Sequence, residues 1–123
     1  MKAPWEDCNW TKSRYFSFLR SNLRRIFIKY KPYQDTIKDA RVKYIGENKR
    51  RKYSYRCCQC KNLFKREEVQ VDHIEPCGTL KTYSDLPGFV ERLFCHKSDL
   101  RVVCKGCHQK ITNNQRKSKK IAK

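Results

Sequence analysis

Two Cys-x-x-Cys pairs are the residues in this chain best suited to metal chemistry. The first pair is Cys57 and Cys60, and the second is Cys104 and Cys107. Zinc takes four thiolates at the corners of a tetrahedron, and each pair can supply two of them from one tight turn. We therefore expect one structural zinc site made of four cysteines. Cys58 is an alternative to Cys57, but the two-residue spacing to Cys60 favours Cys57.

A second group of reactive residues accompanies these pairs. Asp72 and His73 lie between the two pairs, and His108 directly follows the second. A carboxylate and imidazoles can hold a hard cation and activate water. The chain therefore predicts a structural metal that positions a separate catalytic metal. His96 is expected to be a surface residue or to support another group rather than to bind metal.

The eight cysteines could instead form four disulfides. The first residues, Met1–Glu6, lead into no apolar run, so we expect no secretory signal. In a reducing compartment, paired Cys-x-x-Cys motifs are more often metal sites than disulfides. We expect the remaining cysteines, Cys8, Cys58, Cys77 and Cys95, to be partly buried, reduced thiols. No stretch has the apolar length of a membrane span, so we expect no membrane partner.

The elements that must position these residues can be read from local patterns. Residues 68–74 alternate in character and predict a strand, and residues 99–103 predict a second extended segment. A short helix is expected over residues 86–93. The second cysteine pair should open a helix that reaches about residue 114. Two strands and a helix would then bring His108 across from Asp72 and His73.

Upstream, two helices are expected. Apolar side chains recur at helical spacing after the plausible N-cap Ser13, and Pro32 ends that pattern. This apolar stripe consists of Phe16, Leu19, Leu23, Ile26 and Tyr30. The second helix is predicted over Asp35–Ile45, with Gly46 as its C-terminal stop.

The central motifs resemble those of the HNH nucleases, in which a zinc treble clef supports a ββα-metal core. The resemblance covers residues 55–112 and is strongest to a small phage-encoded subtype. It rests on several spaced elements in the same order: Cys57-x-x-Cys60, Asp72-His73-Ile74-x-Pro76, Phe89-x-Glu91-Arg92-Leu93-Phe94-Cys95, and Leu100-x-x-x-Cys104-x-x-Cys107-His108-x-Lys110-Ile111-Thr112. It implies a nuclease core over residues 55–112. Together with the helical patterns and basic charge of the flanks, we expect an α+β fold with a basic helical arm over residues 1–54 and a basic tail over 113–123.

The resemblance also implies roles for single residues. His73 would be the general base, and Asp72 and His108 would hold one catalytic divalent cation, Mg²⁺ or Mn²⁺. Asp99 stands where the family usually has Asn, and it would either orient His73 or draw the metal toward itself. The products would carry 5′-phosphate and 3′-hydroxyl ends.

The net charge of +18 is extreme for 123 residues, and it lies in the flanks. Residues 1–56 hold 16 basic against 5 acidic side chains, whereas residues 57–112 hold 9 against 7. Such flanks are typical of proteins that bind phosphate backbones with strong salt dependence. The candidate nucleic-acid-binding residues are Arg20, Arg24, Arg25, Lys49, Arg50, Arg51, Lys52, Arg116 and Lys117. A solvated basic surface, or RNA or ribosome binding, remains the alternative.

We therefore expect a metal-dependent HNH endonuclease that nicks or cuts duplex DNA in the cytoplasm of an infected bacterium. A phage protein partner, such as packaging machinery, would contact the N-terminal arm. One alternative is a zinc-containing nucleic-acid-binding module without catalysis. Another is a homing or recombination nuclease that acts on branched DNA. The sequence fixes neither the oligomeric state nor the cleavage specificity.

Overall fold

Helices fill the N-terminal third of the chain, and short strands and helices alternate after it. The structure is a computed structural model that describes residues 2–121, with side chains described as far as residue 117. The elements are α1 (Pro4–Asp7), α2 (Lys12–Phe27), α3 (Lys31–Ala40), β1 (Arg41–Lys43), β2 (Tyr53–Arg56), β3 (Leu63–Phe64), β4 (Val69–His73), α4 (Leu86–Leu93), β5 (Leu100–Cys104) and α5 (Lys105–Ile121). This mixture confirms the predicted α+β class.

Two small antiparallel sheets connect these elements. β1, β2 and β3 form one sheet in that order, and β4 pairs with β5 in the other. The second sheet runs from Val69 opposite Cys104 to His73 opposite Leu100. Its strands fall within about one residue of the segments predicted over 68–74 and 99–103. α4 covers residues 86–93, as predicted.

The first long helix exists, but its predicted start and one member of its apolar stripe are wrong. Thr11, rather than Ser13, caps α2, because its hydroxyl accepts the Arg14 N–H at 3.1 Å. Ile26 is 50% exposed, whereas its neighbour Phe27 is only 6% exposed and lies in the core. One residue turns a helix by about 100°, so the two side chains face different directions.

The second helix begins and ends earlier than predicted. α3 starts at Lys31 and has Pro32 in its first turn. Pro32 therefore marks the start of α3, in addition to lying beyond the end of α2. Proline is favoured there because it lacks an N–H that would have no intrahelical partner. The helix stops at Ala40, and the chain continues directly into β1. Gly46 is therefore not a helix stop; a side chain there would collide with the Tyr44 ring.

The basic segment 49–52, whose residues are candidate nucleic-acid contacts, is part of a hairpin loop. β1 and β2 pair antiparallel, with Arg41 opposite Tyr55 and Lys43 opposite Tyr53, and residues 44–52 connect them. The predicted boundary between residues 54 and 55 falls inside β2. α5 extends through the predicted tail as far as Ile121, and residues 122–123 lie outside the described part.

Two apolar clusters hold the molecule together, and β5 contributes to both. The larger cluster packs Phe16 and Phe27 of α2 against Phe89 and Leu93 of α4 and Leu100 of β5. Burying a side chain of this size stabilises the fold by about 1.5–3 kcal/mol. The smaller cluster consists of Cys57, Val69, Val102, Val103 and Cys104. β5 therefore links the cluster that holds the helical arm to the cluster that includes two of the four cysteine ligands.

Candidate metal centre and adjoining cleft

The four predicted cysteine ligands meet at one point. Their sulfur atoms all lie within 4.8 Å of one another, and the Cys60 and Cys104 sulfurs are 4.0 Å apart. Tetrahedral zinc with bonds of about 2.3 Å would place its sulfurs about 3.8 Å apart. The donor set and its size therefore fit a zinc ion held by Cys57, Cys60, Cys104 and Cys107, as the spacing predicts.

Local backbone geometry makes both turns suitable for holding a metal. Lys61 adopts a left-handed conformation with φ of 65° and donates its N–H to the Cys57 carbonyl at 3.0 Å, which closes the first turn. The Gln59 N–H points at the Cys57 sulfur, and the Cys107 N–H points at the Cys104 sulfur, each at 3.4 Å. Such N–H donors stabilise thiolates, which are the metal-binding form of cysteine.

The acid–base state of the cluster favours a bound cation. Burial alone would raise the pKa of Cys57, but backbone N–H bonds to its sulfur outweigh this and lower the pKa to about 6. A hydrogen bond from Cys107 to the Cys104 sulfur raises the pKa of Cys107 to about 12. Four neighbouring thiols cannot all ionise unless positive charge compensates them, and zinc supplies that charge.

The remaining cysteines take no part in this cluster. Cys58 donates its backbone N–H to the Val102 carbonyl at 2.9 Å, and its side chain is absent from the four-sulfur group. This resolves the choice between Cys57 and Cys58. All eight cysteines lie in the described residues, and none of them is paired in a disulfide there; Cys8 is exposed rather than partly buried. Burial raises the pKa of both Cys77 and Cys95, which keeps these thiols protonated.

Beside the cysteine cluster, a cleft of about 270 Å³ brings the predicted catalytic residues together. Asp72 and His73 reach it from the end of β4, and His108 reaches it from the first turn of α5. Arg24 lines the same cleft from α2. The antiparallel pairing of β4 with β5, followed at once by α5, explains this convergence.

Asp72 is the acidic residue of the cleft lining, and its carboxylate is held by its neighbours. Its side chain is 13% exposed, and its Oδ2 accepts a hydrogen bond from Arg101 Nε at 2.9 Å. Its Oδ1 lies 3.6 Å from His108 Nε2. One carboxylate oxygen is thus paired with Arg101, while the other faces an imidazole that can also bind a metal. Carboxylate oxygens are ligands that Mg²⁺ takes, and imidazole is a ligand of other divalent metals.

His73 is fixed by two contacts that the sequence did not indicate. Its Nε2 lies 2.9 Å from the Leu93 carbonyl oxygen, and its ring centroid lies 4.8 Å from that of Phe27. A carbonyl can only accept, so Nε2 of a neutral His73 carries the proton and Nδ1 keeps its lone pair. The contacts therefore leave Nδ1 as the basic nitrogen.

Asp99 acts through its backbone rather than through its side chain. Its carbonyl accepts the Ile74 N–H at 2.9 Å, and its N–H bonds to the His96 carbonyl at 2.9 Å. The Asp99 side chain is exposed and makes no hydrogen bond within the described residues. The predicted contact from Asp99 to His73 is therefore absent, and the Leu93 carbonyl orients the imidazole. His96 is exposed and bonds to Ser98, in agreement with the expected surface position.

The predicted nucleic-acid-binding residues occupy several separate places. Arg24 lines the cleft, whereas Arg25 lies in a groove on the outer side of α2 beside Trp10 and Phe18. Arg20, on the same helix, is half-buried. The hairpin loop carries Lys49, Arg50, Arg51 and Lys52, and exposed positions of α5 carry Arg116 and Lys117.

Arg101, which bonds to the cleft carboxylate of Asp72, is the main residue that sequence reasoning missed. A possible signal was the strand register, since Asp72 and Arg101 lie directly opposite each other on β4 and β5. Oppositely charged residues at such positions form cross-strand pairs. The contact of His73 with the Leu93 carbonyl could not be predicted from the sequence, because every residue type has the same backbone acceptor.

Comparisons with known protein families, with curated proteins and with solved structures found no significant match. None of the helices in the described part of the chain is long and apolar enough to cross a membrane.

Proposed function

We propose that this chain is an HNH-type endonuclease, in which a treble clef around structural zinc supports a ββα-metal core that hydrolyses phosphodiester bonds in duplex DNA. The observation that carries the proposal is the convergence of Asp72, His73 and His108 on one cleft beside the four-cysteine cluster. A carboxylate and two imidazoles next to a cysteine cluster are the residue types that metal-assisted hydrolysis needs.

In this proposal, His73 accepts a proton from the attacking water through Nδ1, since Nε2 is bonded to the Leu93 carbonyl. The packing against Phe27 holds the ring in that orientation. Asp72 and His108 would hold Mg²⁺ or Mn²⁺, which would supply charge stabilisation for the phosphoryl group. Arg101 keeps the Asp72 carboxylate in place, and Arg24 adds positive charge at the wall of the cleft.

Flanking cations would supply the affinity for DNA. Arg20, Arg24 and Arg25 would act from α2, the segment 49–52 from the hairpin loop, and Arg116 and Lys117 from α5. These side chains would neutralise phosphates without reading bases, so affinity should fall steeply with added salt. The proposed setting remains the cytoplasm of an infected bacterium, with a phage protein as a possible further partner.

The test is cleavage of supercoiled plasmid with Mg²⁺ or Mn²⁺ by the full chain and by His73→Ala. His96→Ala is the matched control, because His96 is exposed and lies outside the cleft. All proteins are compared at equal zinc content. We expect the intact chain and His96→Ala to nick or linearise the plasmid, and His73→Ala to lose this activity. Equal cleavage by all three would remove His73 from the mechanism.

A second candidate is a zinc-containing module that binds nucleic acid without cleaving it. The observation in its favour is the Arg101–Asp72 ion pair, which already neutralises the carboxylate that a catalytic cation needs. The same experiment separates the two candidates. DNA binding without cleavage by any of the proteins, with either cation, would support the binding module.

A further inference from the structure

A second concave site lies between the hairpin loop and the turn that precedes β4. It encloses about 460 Å³, and its charged lining consists of Arg50, Arg51, Lys52, Lys65, Arg66 and the single acid Glu67. We call this site the basic pocket. Tyr53 and Tyr55 of β2 form part of its wall.

The positive charge of the basic pocket is not compensated within the protein. Among the described residues, none of its five basic side chains forms a salt bridge. Five cations facing one acid in a concave space attract an anion more strongly than the same charges spread over a convex surface. Lysines and arginines whose only role is to contact water have no reason to gather around one concave space.

Two of the arginines are already held in place. Arg51 donates to the Tyr53 carbonyl at 3.2 Å and to the Ser54 hydroxyl at 2.8 Å, and it stacks on Tyr44. Arg66 donates to the Val69 carbonyl at 3.3 Å and to the Tyr33 hydroxyl at 3.2 Å. Side chains ordered before binding lose less conformational entropy when a ligand arrives.

The basic pocket and the catalytic cleft lie toward opposite ends of β4. Arg66 bonds to Val69 at the start of this strand, and His73 stands at its end. Four residues of a strand span about 13 Å. Phosphates in one strand of duplex DNA follow at about 3.4 Å along the axis, so a duplex lying along β4 would place about four base pairs between the two sites.

We propose that the basic pocket is an auxiliary binding site for the phosphodiester backbone of duplex DNA, occupied while the cleft holds the bond to be cut. This inference rests on the proposed function for its ligand, but it concerns a separate surface. It assigns Lys65 and Arg66 to DNA binding, and these residues belong to neither the catalytic cleft nor the basic flanks of the sequence.

The test measures binding of a fluorescent 20-base-pair duplex to the full zinc-loaded chain, without added Mg²⁺ or Mn²⁺ and across a salt series. The test variant carries Arg50→Ala, Lys52→Ala and Lys65→Ala. The control variant carries Lys12→Ala, Lys29→Ala and Lys38→Ala, so both lose three charges. All six side chains are exposed and make no hydrogen bond or salt bridge in the described structure, so folding should be unaffected.

We expect the pocket variant to make the negative slope of log affinity against log salt shallower by about 2.7, since each lost phosphate contact removes about 0.9 from its magnitude. Between 50 and 200 mM salt its affinity should then change roughly 40-fold less than that of the intact chain. The control variant should change the slope much less. A single Lys65→Glu exchange, which lies outside the segment 49–52, should act in the same direction as the pocket variant.

Equal slopes for the pocket and control variants would overturn the proposal, because net charge alone would then explain binding. Loss of binding to polyglutamate with unchanged binding to DNA would also overturn it, by assigning the pocket to an acidic protein. Because no divalent cation is added, these results are independent of whether the chain cleaves DNA.

Discussion

Replacing Cys60 by Ser should release zinc and destabilise the fold without disturbing its packing. Cys60 is exposed, whereas Cys57 and Cys104 are 0% and 7% exposed and belong to the smaller apolar cluster. Exchanging either of those two would mix loss of metal with loss of core contacts. The Cys60 sulfur contributes mainly to the metal site, so the change in stability of Cys60→Ser measures the contribution of metal binding.

The expected size follows from the energetics of four-thiolate zinc sites. Structural zinc binds with about 10–16 kcal/mol, so one ligand's share of about 3 kcal/mol is the least that the fold loses when the ion is released. A domain of this length has about 6–18 kcal/mol of total stability. The loss should lower the midpoint of thermal unfolding by at least about 10 °C.

The assay combines zinc content per chain with thermal unfolding by circular dichroism. Cys58→Ser is the matched control, since Cys58 neighbours the cluster but its sulfur lies outside it. We expect one zinc per chain in the intact protein and in Cys58→Ser, and much less in Cys60→Ser. If Cys60→Ser kept a full equivalent of zinc and the midpoint of Cys58→Ser, the four-cysteine assignment would be refuted.

Two further substitutions test the larger core and the cleft. Phe27→Ala should cost about 3–5 kcal/mol of unfolding free energy by urea titration, whereas the exposed neighbour Ile26→Ala should cost well under about 1 kcal/mol; similar losses would contradict the observed helix orientation. Asp99→Asn should keep plasmid cleavage within about threefold, because the backbone carbonyl of Asp99, not its side chain, contacts Ile74. A loss of about a hundredfold or more at equal zinc content would instead place the Asp99 carboxylate at the metal or at His73.

The sequence predicted those parts of the structure that depend on local spacing. The Cys-x-x-Cys pairs, β4, α4 and β5 each carry a strong short-range pattern, and the structure places them within about a residue of expectation. The meeting of Asp72, His73 and His108 also followed from the order of strands and helix.

Features that depend on distant contacts were missed. Ile26 and Phe27 are both apolar and adjacent, so only packing against distant residues such as His73 and Phe94 selects Phe27 for the interior. The end of α3 at Ala40 is set by the pairing of Arg41 with Tyr55, fourteen positions further along the chain. The contact of His73 with the Leu93 carbonyl depends on where α4 packs, and no residue type encodes it.

Cys107 and His108 are consecutive residues in the first turn of α5, so a single peptide bond joins the cysteine cluster to the cleft. If a metal is bound by the four cysteines, oxidation of their sulfurs would remove its ligands and release the start of α5, which also positions the His108 imidazole beside Asp72. The arrangement of Asp72 and His108 would then depend on the oxidation state of the neighbouring thiols, although neither residue is itself sensitive to redox conditions.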